Sequence, residues 1–217
     1  PDNLENAMNK LNTGEIDSVV CGIEHSSADV LRTSLKIVGS DGIVSSFFVM
    51  KKDDEQMLFA DCAVIPNPSS GQLAQIAIQT AQSARKIGIE PYVAFLSFST
   101  EHSSRTSEVE KVRDAVKILD SMNVDFKYAG EWQFDTAYNM RIREIKSKTE
   151  SYDRPANVFI FPDLNSGNIA YKITEQLGLF TAVGPILQGL NKPVFDLSRG
   201  STIDDVIEVI LLAKQMT

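Results

Sequence analysis

Three residues close together near the C-terminus, Ser198, Arg199 and Asp205, combine a hydroxyl, a fixed cation and a carboxylate in one polar stretch, Asp196-Leu197-Ser198-Arg199-Gly200-Ser201 and the positions just after it. The stretch feeds the start of an apolar-periodic segment. A helix N-terminus there would offer unpaired backbone N–H groups to an anion, and Arg199 can grip a phosphate or carboxylate with two parallel hydrogen bonds. The same pattern also describes an ordinary helix cap beside an exposed arginine, with Asp204 and Asp205 complementing the helix dipole. Further upstream, Asn165-Ser166-Gly167-Asn168 follows a short apolar run and reads as a strand-to-helix turn whose small residues let a ligand approach the backbone. It matches neither GxGxxG nor GxxxxGK. His25-Ser26-Ser27-Ala28-Asp29 contains triad-type residues, but sequence neighbours rarely meet in triad geometry, and the segment reads first as a loop and cap. The other histidine, His102, lies in a polar loop, so a histidine general base is disfavoured. No His, Cys, Asp or Glu cluster has metal-ligand spacing.

The elements that must position these groups alternate. Leu4, Ala7, Met8 and Leu11 mark a first helix, and Ile16 to Val20 a short buried strand. Ser26 or Ser27 caps a second helix that stops at Gly39-Ser40-Asp41-Gly42. Residues 43–50 and 57–65 form two β-rich runs split by a charged pentapeptide, which predicts an antiparallel hairpin. Helices are expected over 70–87, from Ser107 with a Ser107/Glu110 capping box, over 136–148 and over 167–177. Strands are expected over 92–98, 124–128 and 157–161. Residues 184–200 read as a loop before a final helix over 202–214. Such alternation favours a mainly parallel sheet covered by helices.

With 217 residues and 43% hydrophobic content, the chain can bury a substantial core. Its net charge of −8 disfavours nucleic acid, and any anionic substrate must be drawn in by a few placed groups. Cys21 and Cys62 sit in apolar runs and predict buried thiols without a disulfide. With no membrane-spanning apolar run and no signal-type N-terminus, a cytoplasmic location is expected. The start at Pro1 points to a piece of a longer protein.

Several stretches together resemble one family. Residues 156–172, ANVFIFPDLNSGNIAYK, closely resemble a hallmark of the phosphate acetyl- and butyryltransferases, and 184–193, GPILQGLNKP, followed by DLSRG at 196–200, resemble the second hallmark. Weaker similarities lie at 22–32, 58–61 and 97–100. The resemblance covers essentially the whole chain. It implies an α/β fold of the isocitrate/isopropylmalate dehydrogenase-like type, with two α/β sandwich domains, a cleft between them and a homodimer. Residues 1–41 and 186–217 would form a first domain lacking its N-terminal part, and 42–185 the second. It implies reversible acetyl transfer between coenzyme A and inorganic phosphate in a ternary complex, with coenzyme A, acetyl-CoA, phosphate and acetyl phosphate as ligands and no cofactor or metal.

Residue by residue, the resemblance makes Asp205 the base toward the thiol, Ser198 a hydrogen-bond donor at the reacting centre and Arg199 a stabiliser of developing charge. It assigns substrate contacts to Arg32, Ser26, Ser27, Asn165, Gly167, Asn168, Gln188 and Gly189. A thiol near pKa 8.5 and a carboxylate near 4 differ by about 4.5 units, roughly 6 kcal/mol against transfer in water, so a base at Asp205 needs help from Arg199 and the helix N-terminus. Gln176 stands where the family commonly has an arginine. Two alternatives stay open: a butyryltransferase, and a non-catalytic acetyl-CoA-sensing module like those attached to malic enzymes.

Overall fold

A computed structural model describes residues 3–149 and 152–217; Pro1 lies outside them. Eight strands form one mixed sheet in the order β1-β8-β7-β2-β3-β6-β4-β5. The strands are β1 (Val19–Cys21), β2 (Ser40–Lys52), β3 (Glu55–Ala60), β4 (Tyr92–Leu96), β5 (Lys127–Trp132), β6 (Val158–Ile160), β7 (Thr181–Leu190) and β8 (Val194–Asp196). Eight helices accompany them among the described residues: α1 (Asn3–Thr13), α2 (Ser27–Ile37), α3 (Ser70–Lys86), α4 (Ser107–Asp120), α5 (Phe134–Tyr138), α6 (Met140–Lys146), α7 (Leu164–Gln176) and α8 (Ile203–Met216).

The expected hairpin is present as β2 and β3, turning at Asp53 with φ 50°. The sheet is less parallel than the alternation predicts. β1–β8, β3–β6, β4–β6 and β4–β5 are parallel, but β2–β3, β2–β7 and β7–β8 are antiparallel. The main correction is residues 184–200, expected as a loop. They contribute the second half of β7 and all of β8, because Ile186, Leu187, Val194 and Phe195 are buried apolar residues that outweigh the turn formers around them. Two helix starts and one cap also differ. Asp163 caps α7 by accepting from Ser166 N at 2.8 Å, so the helix begins ahead of Asn165. At α4 the N-cap is Thr106, and Glu110 pairs with Arg113 at 2.5 Å instead of closing a box. The helix expected over 136–148 is two short ones, α5 and α6, meeting at Asn139.

Register explains where the strand ends meet. Val20 faces Phe195, Phe195 faces Ile186, Ile186 faces Phe47, Phe47 faces Ala60, Ala60 faces Ile160, and Ile160 faces Phe95. These side chains share one face and, Val20 at its margin, belong to a single buried cluster that α3 and α4 cover with Leu73, Ile76, Val112 and Leu119. β1 and β8 end at this row from one side, and β3 and β6 end at it from the other. The opposite face buries Phe48, Phe59, Phe159 and Trp132.

At the far end of the sheet, a buried ion pair secures α4 and β5. Arg113 Nε donates to Glu131 Oε2 at 2.8 Å, its Nη2 donates to Glu131 Oε1 at 3.0 Å, and Ser99 Oγ and the His102 amide also donate to Oε1. Burial alone would raise the Glu131 carboxyl; the bonds from Arg113, Ser99 and His102 outweigh it and hold the group below the ordinary glutamate range. Its stabilising contribution is therefore complete above the unfolded pKa of about 4.3 and is lost as pH falls through the lower folded value. Arg113→Ala, which strands a buried carboxylate, is expected to cost about 3–5 kcal/mol in urea unfolding at pH 7. In urea unfolding followed as a function of pH, Glu131→Gln is expected to lose less stability than the wild type as pH falls below about 4.

Candidate active site

The row of strand ends opens onto a cleft of about 960 Å³, at the upper end of the roughly 300–1,000 Å³ usual for small-molecule sites. Three helices begin there, each following a strand: α2 after β1, α7 after β6 and α8 after β8. α2 with its entering loop presents His25 and Ser27, α7 presents Leu164, Asn165 and Asn168, and α8 with its entering loop presents residues 198–202 and Asp205. Each N-terminus carries backbone N–H groups and a partial positive charge, so their convergence favours an anion. Arg199 and Lys172 add two full cations; Glu175 and Asp205 are the two carboxylates in the lining.

The loop after β8 is built by local bonds. Ser198 Oγ accepts from Gly200 N at 3.2 Å, and Ser201 N donates to Ser198 O at 3.0 Å. Thr202 caps α8 in a reciprocal box. Asp205 N donates to Thr202 Oγ1 at 3.2 Å, while Asp205 Oδ2 accepts from Thr202 N at 2.7 Å and from Thr202 Oγ1 at 2.9 Å. Asp205 thus has one oxygen held by two donors, and Oδ1 makes no hydrogen bond among the described residues.

Beneath this loop the ends of β1 and β8 pack closely. Gly22 has φ +113°, and a Cβ there would collide with Asp196 Oδ1 and the Leu197 carbonyl, so this crossing requires glycine. Asp196 is buried and its Oδ1 has no hydrogen-bond partner among the described residues. Burial pushes its carboxyl up to about 6, against the Ser27 side chain and the Leu197 amide, which favour the charged form. Burial, with Asp196 adding a smaller effect, pushes the Cys21 thiol up to about 12; Cys62 is also raised by burial, then by Asp61. Both thiols are unpaired with each other and neither is a low-pKa nucleophile.

On the other wall, Asp61 shapes the turn after β3. Its buried carboxylate accepts from Ser46 N, the Ser46 hydroxyl and the amides of Ala63, Val64 and Ile65. α7 docks on that turn: Asn168 Nδ2 donates to Cys62 O at 3.1 Å, and a Cβ at Gly167 would collide with the Asp61 carbonyl. Phe48 and Tyr171 stack behind it with ring centroids 4.0 Å apart, and both reach the cleft.

Of the residues singled out in the sequence, Ser27, Asn165, Asn168, Ser198, Arg199 and Asp205 come together at the cleft, as does Gln176. The others do not. Ser26 is the α2 N-cap, bonded to Asp29, and Gly167 serves the contact of α7 with β3. Arg32 is exposed and pairs with Asp29 at 2.8 Å. Gln188 is buried on the α3 side, where Ser83 donates to its Oε1 and its Nε2 donates to Ser45 and Thr80, leaving little capacity for a ligand. Gly189, with φ +88°, meets the Ile43 carbonyl. Their short apolar-Gly neighbourhood looks like a binding loop, whereas it is a strand edge in a sheet. His25, read in the sequence as part of a loop and cap, and Lys172, given no role there, are also cleft residues; Lys172 is four residues beyond Asn168 and so shares its helix face.

Comparison with known proteins places this geometry. A phosphotransacetylase from Streptococcus pyogenes superposes with a TM-score of 0.91 at 41% identity, over 98% of this chain and 67% of that one. A 4-hydroxythreonine-4-phosphate dehydrogenase from Klebsiella pneumoniae shares the fold, with a TM-score of 0.60 at 12% identity over 98% of this chain and 68% of that one. Phosphate acetyltransferase from Bacillus subtilis is 47% identical over 202 residues, 92% of this chain and 62% of the relative; that from Buchnera aphidicola subsp. Schizaphis graminum is 42% identical over 214 residues, 97% of this chain and 30% of the relative. The chain therefore spans between about a third and two thirds of these curated relatives. The family model described as phosphate acetyl/butaryl transferase matches residues 1–214, and the chain belongs to that family.

Proposed function

We propose that the full-length protein catalyses reversible transfer of an acetyl group between coenzyme A and inorganic phosphate, with both substrates bound together. The observation that carries this reading is the meeting of Ser198, Arg199 and Asp205 with three helix N-termini at one cleft, in a chain whose relatives are named phosphate acetyltransferases. Toward acetyl-CoA, Asp205 takes the thiol proton, the sulfur attacks the carbonyl of acetyl phosphate, and the carbon–oxygen bond to phosphate breaks, releasing phosphate. Arg199 and the α8 N-terminus face the charge that develops. Ser198 donates to the reacting centre. Asn165, Asn168, Ser27 and Lys172 line the space left for the substrates. Coenzyme A is a substrate and no cofactor enters the scheme.

The same reading carries an isocitrate dehydrogenase-like arrangement, with residues 1–41 and 186–217 in one unit and 42–185 in the other. Its support is the shift in the β2–β7 register between Phe47 and Val49, close to Gly184-Pro185, where the two units would hinge. It also carries a homodimer in the cytoplasm; no helix among the described residues is long and apolar enough to cross a membrane. Gln176 is the one observation favouring an acetyl-CoA sensor instead, since it lines the cleft without a charge.

The test is phosphate-dependent release of thiol from acetyl-CoA by the full-length protein. Asp205→Asn, whose amide oxygen can still accept from Thr202, is expected to fold normally and lose about 10²–10⁴-fold in kcat. Asp205→Ala should lose as much kcat and, with the box broken, about 1 kcal/mol of stability as well. Wild-type turnover in Asp205→Asn would remove the carboxylate from the mechanism. A second substitution probes anion affinity: Gln176→Arg should lower the KM of an anionic substrate about threefold to tenfold, as a charge-assisted bond replaces a neutral one. An unchanged KM for both substrates would place position 176 outside the substrates' reach.

A further inference from the structure

Three helices in this fold start with a hydroxyl residue whose partner lies three positions on, and they differ in a way that bears on chemistry. At α3, Ser69 Oγ accepts from Gln72 N at 3.3 Å and Gln72 Oε1 accepts from Ser69 N at 2.9 Å, with no bond from the hydroxyl to the Gln72 side chain. At α2, Ser26 Oγ donates to Asp29 Oδ2 at 2.6 Å, and Arg32 takes the other oxygen at 2.8 Å, so that carboxylate is fully engaged. At α8, both the amide and the hydroxyl of Thr202 donate to Asp205 Oδ2, and nothing among the described residues takes Oδ1. Only there does a box hold a carboxylate by one oxygen and leave the other available, and only there does it line the cleft.

We infer that Thr202 is a positioning residue for the acyl transfer: its hydroxyl and amide pin Asp205 Oδ2 so that Oδ1 is presented to the thiol proton. The inference rests on the reading of Asp205 as the proton acceptor. An aspartate has two side-chain torsions, and a carboxylate tethered through one oxygen by two donors loses the freedom to rotate its second oxygen out of line. Proton transfer requires that oxygen within hydrogen-bond reach of the sulfur when the carbonyl is attacked, so the cost of a loose base falls on turnover and not on substrate binding. The hydroxyl is the separable part of the tether. The Thr202 amide remains in any substitution except proline, whereas the Oγ1 donor is lost in valine and glycine and kept in serine. Glycine is a tolerated N-cap, costing helices only a few tenths of a kcal/mol relative to the hydroxyl residues, so it removes the donor while leaving α8 in place.

The experiment uses the full-length protein in the acetyl-CoA assay, with Thr202→Val, Thr202→Gly and Thr202→Ser, each alone and in the Asp205→Asn background. Ser69→Ala, which weakens the cap of α3 away from the cleft, serves as the control for a merely frayed helix. Expected are a loss of about tenfold to hundredfold in kcat for valine and glycine, KM values within about threefold of wild type, near wild-type kcat for serine and for Ser69→Ala, and no further loss when valine or glycine is added to Asp205→Asn. Wild-type kcat in Thr202→Gly overturns the inference, and so does a loss in the Asp205→Asn background as large as that in the wild type, which would show Thr202 acting independently of Asp205. A wild-type protein without phosphate-dependent turnover, or a fully active Asp205→Asn, sinks the functional reading itself and the inference with it.

Discussion

The antiparallel ladder between β2 and β7 is the constraint on which the remaining architecture depends. It runs from Ser40 opposite Leu190 to Lys51 opposite Thr181, and among the described residues it is the one ladder that joins the β1–β8 side of the sheet to the β3–β6–β4–β5 side. Residues 44–50 of β2 are all buried, so both faces of this strand are core. A one-residue slip would exchange every side chain between the two faces. It would move Phe47 away from Ile186 and Ala60, breaking the row that brings the ends of β8, β3 and β6 to one level. The cleft is a consequence of that level. Strands that run in opposite directions ordinarily open their C-terminal ends at opposite edges of a sheet; here they end at the same row from the two sides, and the helices that follow start around one space.

Each wall of that space is then fixed by a buried carboxylate, used differently. Asp61 is saturated with donors, and its role ends at holding the turn on which α7 docks. That docking depends on the absence of a side chain at Gly167 and on the Asn168 bond to Cys62 O. Asp196 is the reverse case. It is buried beside Cys21 and Gly22 with one oxygen unpartnered among the described residues, a costly placement that raises its pKa toward neutrality. The first wall is rigid because its polar groups are satisfied. The second carries the groups incompletely satisfied among the described residues, Asp196 below and Asp205 Oδ1 at the surface, and it is on this wall that Ser198, Arg199 and Asp205 sit.

How much of this is legible in the sequence depends on whether a signal is local. The helix periodicity of 70–86, the hairpin around Asp53, the cap at Ser26 and the start of the last helix near Thr202 come from spacing within a few residues, and the structure has them close to where the pattern puts them. Residues 184–200 are different. Gly184, Pro185 and Gly189 are turn formers by local preference, and only the partners supplied by β2 and β1, some 140–175 residues earlier in the chain, make strands of this stretch on either side of Asn191 to Pro193. The site follows the same division. Ser198, Arg199 and Asp205 are neighbours in sequence, so their proximity is legible. That Gln188 belongs to a network with Ser45, Thr80 and Ser83 is not, because all three partners are more than 100 residues away.

An acidic chain proposed to take anionic substrates has to draw them in at short range. Charges separated by more than about 8 Å are largely screened at physiological ionic strength, so the net charge of −8 matters less to a ligand inside the cleft than the groups lining it. There the two cations, Arg199 and Lys172, are matched by Glu175 and Asp205, and the formal charges cancel. What remains is the field of three helix N-termini, each equivalent to about half a positive charge when aligned and unscreened. These dipoles are fixed by the fold and need no reorganisation as charge develops, which is the property that makes such groups effective in a transition state. The capping box places Asp205 inside that same field. On the proposed mechanism, what makes this carboxylate useful as a base is the position of Oδ1 and the stabilisation of the thiolate left behind. The geometry at Thr202 supplies the first, and the α8 N-terminus with Arg199 supplies the second.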